Sequence, residues 1–334
     1  MQFNQLRRRE FITLLGAAVA EWPLAAHAQQ DGRVRRIGVA MADAESDPVE
    51  QSWLATLRQS LQQLGWIEDR NLRLDIRFNA RDLLNTHKNA QELIGLAPDV
   101  IVATGAAATR AFQERTQNIP IIFVQVGDPV ASGVVASIAR PEANTTGITN
   151  LYPSIAGKWV ELLKDAAPHL SRVAMVFNPE FQFPVGEIYL ATIEAAAATL
   201  AVKANRTPVR SSTEIGRAIE TFATEPNGGV ILVPPPPVDA NRDLVIQLST
   251  QHRLPVISNR YVTEGGLISY GPDDADMYRN AASYVDRILR GAKPRELPVQ
   301  FATKFNLVIN LKVARAIGLT IPESLLFRAD EVIR

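Results

Sequence analysis

The chain has 334 residues, 46% hydrophobic and 21% charged, with 35 basic against 35 acidic side chains. That length suits two domains with a substantial core, and a zero net charge with no basic stripe argues against a nucleic-acid partner. No cysteine is present, which excludes disulfides, thiol catalysis, thiolate-held metals and a lipid-modified N-terminal cysteine.

In chain order, Arg7-Arg8-Arg9 precedes an apolar run, Phe11–Ala20, and then Ala26-His27-Ala28, a small-residue A-x-A pattern before Gln29. A charged region, a short hydrophobic region and a cleavage site in that order predict a signal peptide over residues 1–28. Arg8-Arg9 with Phe11 resembles the twin-arginine export signal. The apolar run is too short to span a membrane, so the mature chain is expected in the periplasm as a soluble protein.

The first core strand is expected at Arg36–Ala40. A polar loop and a helix over Pro48–Leu64 follow, with Trp53, Leu54, Leu57, Leu61 and Leu64 on one face and Gly65 as the stop. Leu72–Phe78 alternates as a half-buried strand, and residues 82–96 read as a helix. The stretch from Pro98 to Pro129 then holds two short Val/Ile-rich runs, Val100–Ala103 and Ile119–Val126, around a helix over Ala106–Arg115. These runs are too short for helices and read as buried parallel strands. Pro129–Ile138 is expected as a short helix and Thr146–Thr149 as a strand end.

From Ser154 the pattern repeats. A helix to Ala167 leads to a strand at Arg172–Phe177, a helix over 184–200, an edge strand at Val202–Thr207, and a helix over 212–223. A strand at Gly229–Val233, a helix over Asp239–His252 and a strand at Pro255–Ser258 follow. Ile37 and Val173, Val100 and Val230, and Ile121 and Val256 match in order at offsets of 136, 130 and 135 residues. Three matched strands predict two similar α/β lobes, each a parallel sheet with helices on both faces. Leu267–Tyr270, a helix over Pro272–Arg290, a loop at Gly291–Pro298, a strand at Phe305–Ile309 and a helix at Leu311–Ile317 are read as chain passing back between the lobes. The expected division is 31–148 plus 267–298 for the first lobe and 151–265 plus 299–330 for the second, with a multi-strand hinge and a cleft between them.

The stretches RRREFITLLGAA (7–18), VQVGDPVASGVVASIARPEANTTGIT (124–149), GKWVELLKDAAPHLSRVAMVFNP (157–179), ISYGPD (268–273) and FNLVINLKVARAIGLTIP (305–322) resemble ABC-transporter substrate-binding proteins of the type I periplasmic binding fold. The similarity is to the tryptophan- and tyrosine-type branch and covers the mature chain. The four-proline run 234–237 departs from that pattern. The resemblance implies periplasmic capture of a small solute and delivery to a membrane permease and its ATPase. The chain is read as a monomeric binding protein with no enzymatic activity and no cofactor. A ligand-sensing module for a membrane receptor, or an enzyme on a doubly wound fold, are the alternatives.

Ligands in open parallel sheets sit beyond the carboxyl ends of the strands. Thr104-Gly105-Ala106-Ala107 lies where a strand meets a helix, and free N–H groups there suit an anion; the same residues also read as a plain turn with Thr104 as cap. Asp128 either meets a ligand ammonium or caps the segment after Pro129. Met41, Asp43 and Ser46 follow the first strand, and Gln125 ends the fourth. Asn178, Pro234, Asp239, Asn259, Arg260, Tyr261 and Glu264 hold the equivalent ends of the second lobe. Ser269 and Tyr270 lie at a crossing between the lobes. Tyr152, Phe181, Phe183, Tyr261 and Tyr270 are candidate walls for an apolar tail. The anion site and these walls point to a carboxylate-bearing, amino-acid-like or aromatic solute. His87, His169 and His252 flank no nucleophile, and neither H-E-x-x-H nor G-x-S-x-G occurs. Asp273, Asp274 and Asp276 read as an acidic helix start rather than a metal site.

Overall fold

A computed structural model describes residues 33–141, 143–150, 153–179, 185–233, 241–259 and 265–334. The expected signal peptide, including the A-x-A pattern, lies outside them. Two sheets organise the chain. The first runs β11-β5-β4-β3-β1-β2, from β1 (Arg35–Met41), β2 (Leu72–Phe78), β3 (Val100–Thr104), β4 (Ile121–Val126), β5 (Thr145–Thr149) and β11 (Gln300–Phe301). The second runs β13-β12-β10-β9-β8-β6-β7, from β6 (Arg172–Phe177), β7 (Lys203–Pro208), β8 (Gly228–Leu232), β9 (Val256–Ser258), β10 (Ile268–Pro272), β12 (Phe305–Asn310) and β13 (Glu331–Ile333). Among the described residues every strand pairing is parallel except that of β10 with β12.

The first five strands of each sheet follow one order, second-first-third-fourth-fifth. The sequence repeat is therefore a repeat of topology. β3, β6 and β8 are buried along their whole length. Apolar runs of that kind belong inside parallel sheets covered on both faces.

The helices supply those faces. In the first lobe they are α1 (Pro48–Gln63), α2 (Leu83–Gly95) and α3 (Gly105–Gln113). In the second they are α4 (Pro153–Ala166), α5 (Val185–Thr199), α6 (Ser212–Ala223) and α7 (Arg242–Gln251). α8 (Asp274–Leu289) follows β10, and the short α9 (Leu311–Ala316) and α10 (Glu323–Leu326) precede β13. Asp47 starts α1 by accepting from Val49 N at 2.8 Å and Glu50 N at 3.2 Å. The buried face of α1 carries Glu50, Trp53, Leu54, Leu57 and Leu61.

Three expectations about the connections need correction. Pro129–Ile138 is a series of turns and not a helix. Pro129 O accepts from both Val134 N and Val135 N, and Gly133 sits at φ +69°, so the chain turns back before a second helical turn can form. The strand at 268–272 belongs to the second sheet and not to the first lobe, because it pairs with β9 through Ile268 and Ile257. Gln300–Phe301 in turn pairs with β5 of the first sheet and not with the second lobe.

The chain thus passes between the sheets after β5, at Pro272–Asp274, and between β11 and β12. The last two crossings are joined by Asp273 N donating to Lys304 O at 2.9 Å. Among the described residues no helix is long and apolar enough to cross a membrane.

Candidate ligand-binding cleft

The strand order reverses direction between β1 and β3 in the first sheet and between β6 and β8 in the second. Crevices open at such points, outside the carboxyl ends of the two strands. Met41 and Thr104 end the first pair, Phe177 and Leu232 the second.

At the first crevice the β3–α3 turn is built around Gly105. Its φ of +83° lies in the left-handed region, and beyond its own turn no atom lies within 4 Å of where a Cβ would stand. Thr104 is the residue before the helix, yet its side chain makes no capping bond. Its hydroxyl lies 2.8 Å from the hydroxyl of Tyr278 on α8, with Met41 Sδ at 4.0 Å. Tyr278 is fully buried and stacks on Trp53 of α1, ring centroids 5.7 Å apart. Thr104 therefore anchors the turn from below. It neither caps α3 nor turns its hydroxyl out as a free donor. Ala106 is half-buried and Ala107 exposed, so the first turn of α3 presents backbone N–H groups with no side chain across them. Met41, fully buried, is floor and not wall.

The acidic residues around this crevice have partners of their own. Asp43 pairs with Arg81, whose Nη2 lies 3.0 Å from Oδ2 and whose Nε also donates to Oδ1. Ala80 and Arg81 take φ of 51° and 53° and donate their N–H groups to Asp43 O and Ala42 O, which ties the 42–47 turn to the 79–82 turn. Asp128 accepts from Val130 N at 3.0 Å and Ala131 N at 2.9 Å, so it serves as a cap and not as a free partner for an ammonium. Gln125 occupies a bulge in β4 at φ +60° and donates from Nε2 to Asp274 Oδ1 at 3.1 Å. That bond ties the end of β4 to the crossing that enters α8.

On the second lobe Asn178 is buried at the end of β6. Asn259 is half-buried beside Gly271, where a Cβ would meet Asn259 O at 2.3 Å. Tyr270 stacks on Phe305 at 6.0 Å and accepts from Trp159 Nε1 through its carbonyl at 2.7 Å. Its ring packs within the second sheet. Ser46 is exposed on the 42–47 turn, and Ser269 is buried within β10. Tyr152, Phe181, Phe183, Pro234, Asp239, Arg260, Tyr261 and Glu264 lie outside the described residues.

The structure adds Glu50, which the sequence hides. It stands three residues after Asp47, where a capping box would place a glutamate that reaches back to the cap residue. Instead its Oε2 accepts from Ala42 N at 3.2 Å, while Oε1 is buried with no partner among the described residues. The residue is 1% exposed. Burial and then the Asp43 charge push its carboxyl up to about 7, against the backbone N–H groups of Asp43 and Ala42, which favour the ionised form, with the Asp47 charge adding a smaller push upward.

Two cavities lie at the opposite, amino ends of the strands. One of about 580 Å³ is lined by Gln113, Asn144, Lys293 and Arg295, and one of about 350 Å³ by His169, His252 and Glu225 among others. Among the described residues no His, Asp and Glu cluster is arranged to hold a metal ion.

Residues 39–333 match the family model of ABC transporter substrate-binding proteins. A tyrosine-binding protein of Clostridioides difficile (strain R20291) is 23% identical over 264 residues, covering 78% of this chain and 75% of the relative. A conserved domain protein from Vibrio cholerae superposes with a TM-score of 0.76 at 27% identity, covering 90% of this chain and all of that one. A Streptococcus pneumonia ABC domain in complex with L-Trp gives a TM-score of 0.76 at 22% identity, covering 90% and 99%. The two solved structures are likenesses of fold, while the family model describes substrate-binding proteins and the curated relative is a tyrosine-binding protein.

Proposed function

The chain belongs to the ABC transporter substrate-binding protein family, and from that premise we propose that it captures a carboxylate-bearing, aromatic amino-acid-like solute in the cleft between its lobes for delivery to an ABC importer. The observation that carries the choice of solute is the bare amino end of α3. Gly105 opens the turn, Thr104 makes no side-chain cap to the helix, and α3 begins directly after β3, at the point where β1 and β3 part. A helix start accepts an anion without burying a lone counter-charge. The tyrosine-binding relative and the L-Trp complex of a structural neighbour support an aromatic amino acid as that anion.

Titration calorimetry with L-tyrosine and L-tryptophan tests this. We expect binding of one of them at roughly micromolar Kd, about 8 kcal/mol. Binding of neutral sugars instead, with neither amino acid taken up, would remove the carboxylate from the proposal.

We place the protein in the periplasm, exported by the twin-arginine route. Arg8-Arg9-x-Phe11 and the Ala26-x-Ala28 pattern support that reading. Replacing Arg8 and Arg9 together by Lys should leave uncleaved precursor in the cytoplasmic fraction. Unchanged export of the double variant counts against the route.

A further inference from the structure

A bound α-amino acid brings a second charge beside its carboxylate, and the crevice must meet that ammonium too. The acidic side chains near the ends of the first sheet are mostly committed. Asp43 is paired with Arg81, Asp47 caps α1, Asp128 caps the turn after it, Asp273 caps α8 and pairs with Arg279, and Asp274 accepts from Gln125. Glu50 alone among them keeps a buried carboxylate oxygen with no partner. Resting on the reading above, we propose that Glu50 receives the ammonium group of the bound amino acid and so selects amino acids over plain carboxylic acids.

The placement fits. Glu50 Oε2 is held by the N–H of Ala42, the residue directly after the last of β1, while the carboxylate end of the site lies at the start of α3, directly after β3. β1 and β3 are hydrogen-bonded neighbours whose carboxyl ends flank one crevice. An α-amino acid, with its two charges on adjacent groups, spans such a pair of ends. Glu50 lies under the 42–47 turn and is 1% exposed, so that turn must open on binding for an ammonium to reach it.

The surrounding charges agree with a missing cation. Asp43 and Asp47 face Glu50 from its own turn, and Arg81 comes from the 79–82 turn already paired to Asp43. α8 brings the phenol of Tyr278 behind Trp53, and β1 and β3 end in the uncharged Met41 and Thr104. Unpaired, the carboxyl holds its proton up to about pH 7. A ligand ammonium would stabilise the ionised form, so binding should release a proton and tighten as pH rises through 7.

The test compares L-tyrosine with 3-(4-hydroxyphenyl)propionic acid, the same molecule without its ammonium, by calorimetry at pH 6 and pH 8. For the wild-type protein L-tyrosine should bind about tenfold tighter at pH 8, following the ionised fraction of Glu50. Proton release should appear as a dependence of the heat on buffer. The deamino acid should bind more weakly at pH 8 and show no such trend. Glu50→Gln should lose about ten- to hundredfold in L-tyrosine affinity, the worth of one hydrogen bond to a charged group, and should no longer prefer it over the deamino acid. L-tyrosine affinity independent of pH, or a preference that survives in Glu50→Gln, overturns the assignment while leaving the binding site in place. The pH comparison needs no variant, so a poorly folding Glu50→Gln does not shelter the proposal. Failure of L-tyrosine, L-tryptophan and the deamino acid all to bind overturns the amino-acid reading itself, and the role of Glu50 with it.

Discussion

Ala107→Asp is expected to weaken L-tyrosine binding by two orders of magnitude or more while leaving the melting temperature unchanged or slightly raised. Ala107 is the third residue of α3 and exposed. A carboxylate in the first turn of a helix interacts favourably with the free N–H groups, by about 0.3–1 kcal/mol. The fold therefore gains or stays even. The ligand loses on both counts: the new carboxylate occupies the donors it needs, and it repels the incoming one. At about 5 Å and an effective dielectric near 20, two like charges repel by about 3 kcal/mol, roughly a hundredfold in affinity. Ala107→Asn, nearly the same size without the charge, should lose far less. Calorimetry beside thermal melts of both variants separates the effects. A loss below fivefold for the Asp variant, with the fold intact, would place the ligand carboxylate away from this turn.

What the sequence shows and what it hides follow from distance along the chain. β1, β3, β4, β6 and β8 were legible because strand interiors buried on both faces are short Val- and Ile-rich apolar runs, and their matched offsets carried the repeated strand order as well. The sheet to which 268–272 belongs was not legible, since a strand of five residues reads the same beside either lobe. Gly271 is its one local mark: only a residue without Cβ lets Asn259 O approach so closely. β11 and β13, two and three residues long, are too short to carry a pattern.

At the site the turn 104–107 was legible, because Thr-Gly-Ala-Ala after a Val/Ile run marks a strand-to-helix turn. The partner of Thr104 was not, as Tyr278 lies 174 residues further on. Capping is one of the two sequence readings of Asp128, because Asp-Pro after a strand is a local cap signal, whereas Asp43 looked available because its partner, Arg81, lies 38 residues away. Glu50 was concealed in the opposite way. Asp47-x-x-Glu50 has the spacing of a helix cap, a sufficient local explanation, and only the fold shows that its carboxyl turns to Ala42 instead.

That same carboxyl should cost the protein stability at neutral and alkaline pH. The folded state holds Glu50 at about 7 against an ordinary value of 4.5, chiefly through burial and then the charge of Asp43. A carboxyl raised by folding binds its proton more tightly when folded. Its contribution is thus fully favourable below about 4.5, is lost as pH rises towards 7, and is constant above. At about 1.4 kcal/mol for each pKa unit, the full change is about 3 kcal/mol. Glutamine has no proton to lose. Its amide leaves an unpaired N–H near the position of Oε1, a cost of about 1–3 kcal/mol, but that cost is the same at every pH. The difference in stability between Glu50→Gln and wild type should therefore shift in the variant's favour by about 2–3 kcal/mol from pH 5 to pH 8. In a chain of this size that is several degrees in Tm. Thermal melts of the two proteins without ligand at both pH values measure it, and the constant amide term cancels in the comparison. Parallel pH profiles would mean that Glu50 is ionised and satisfied in the folded protein. The expected result makes Glu50 a residue whose ionised form weakens the empty protein at the pH where it would hold an ammonium, so the stability of Glu50→Gln relative to wild type should rise over the same pH range in which the wild-type grip on an amino acid tightens.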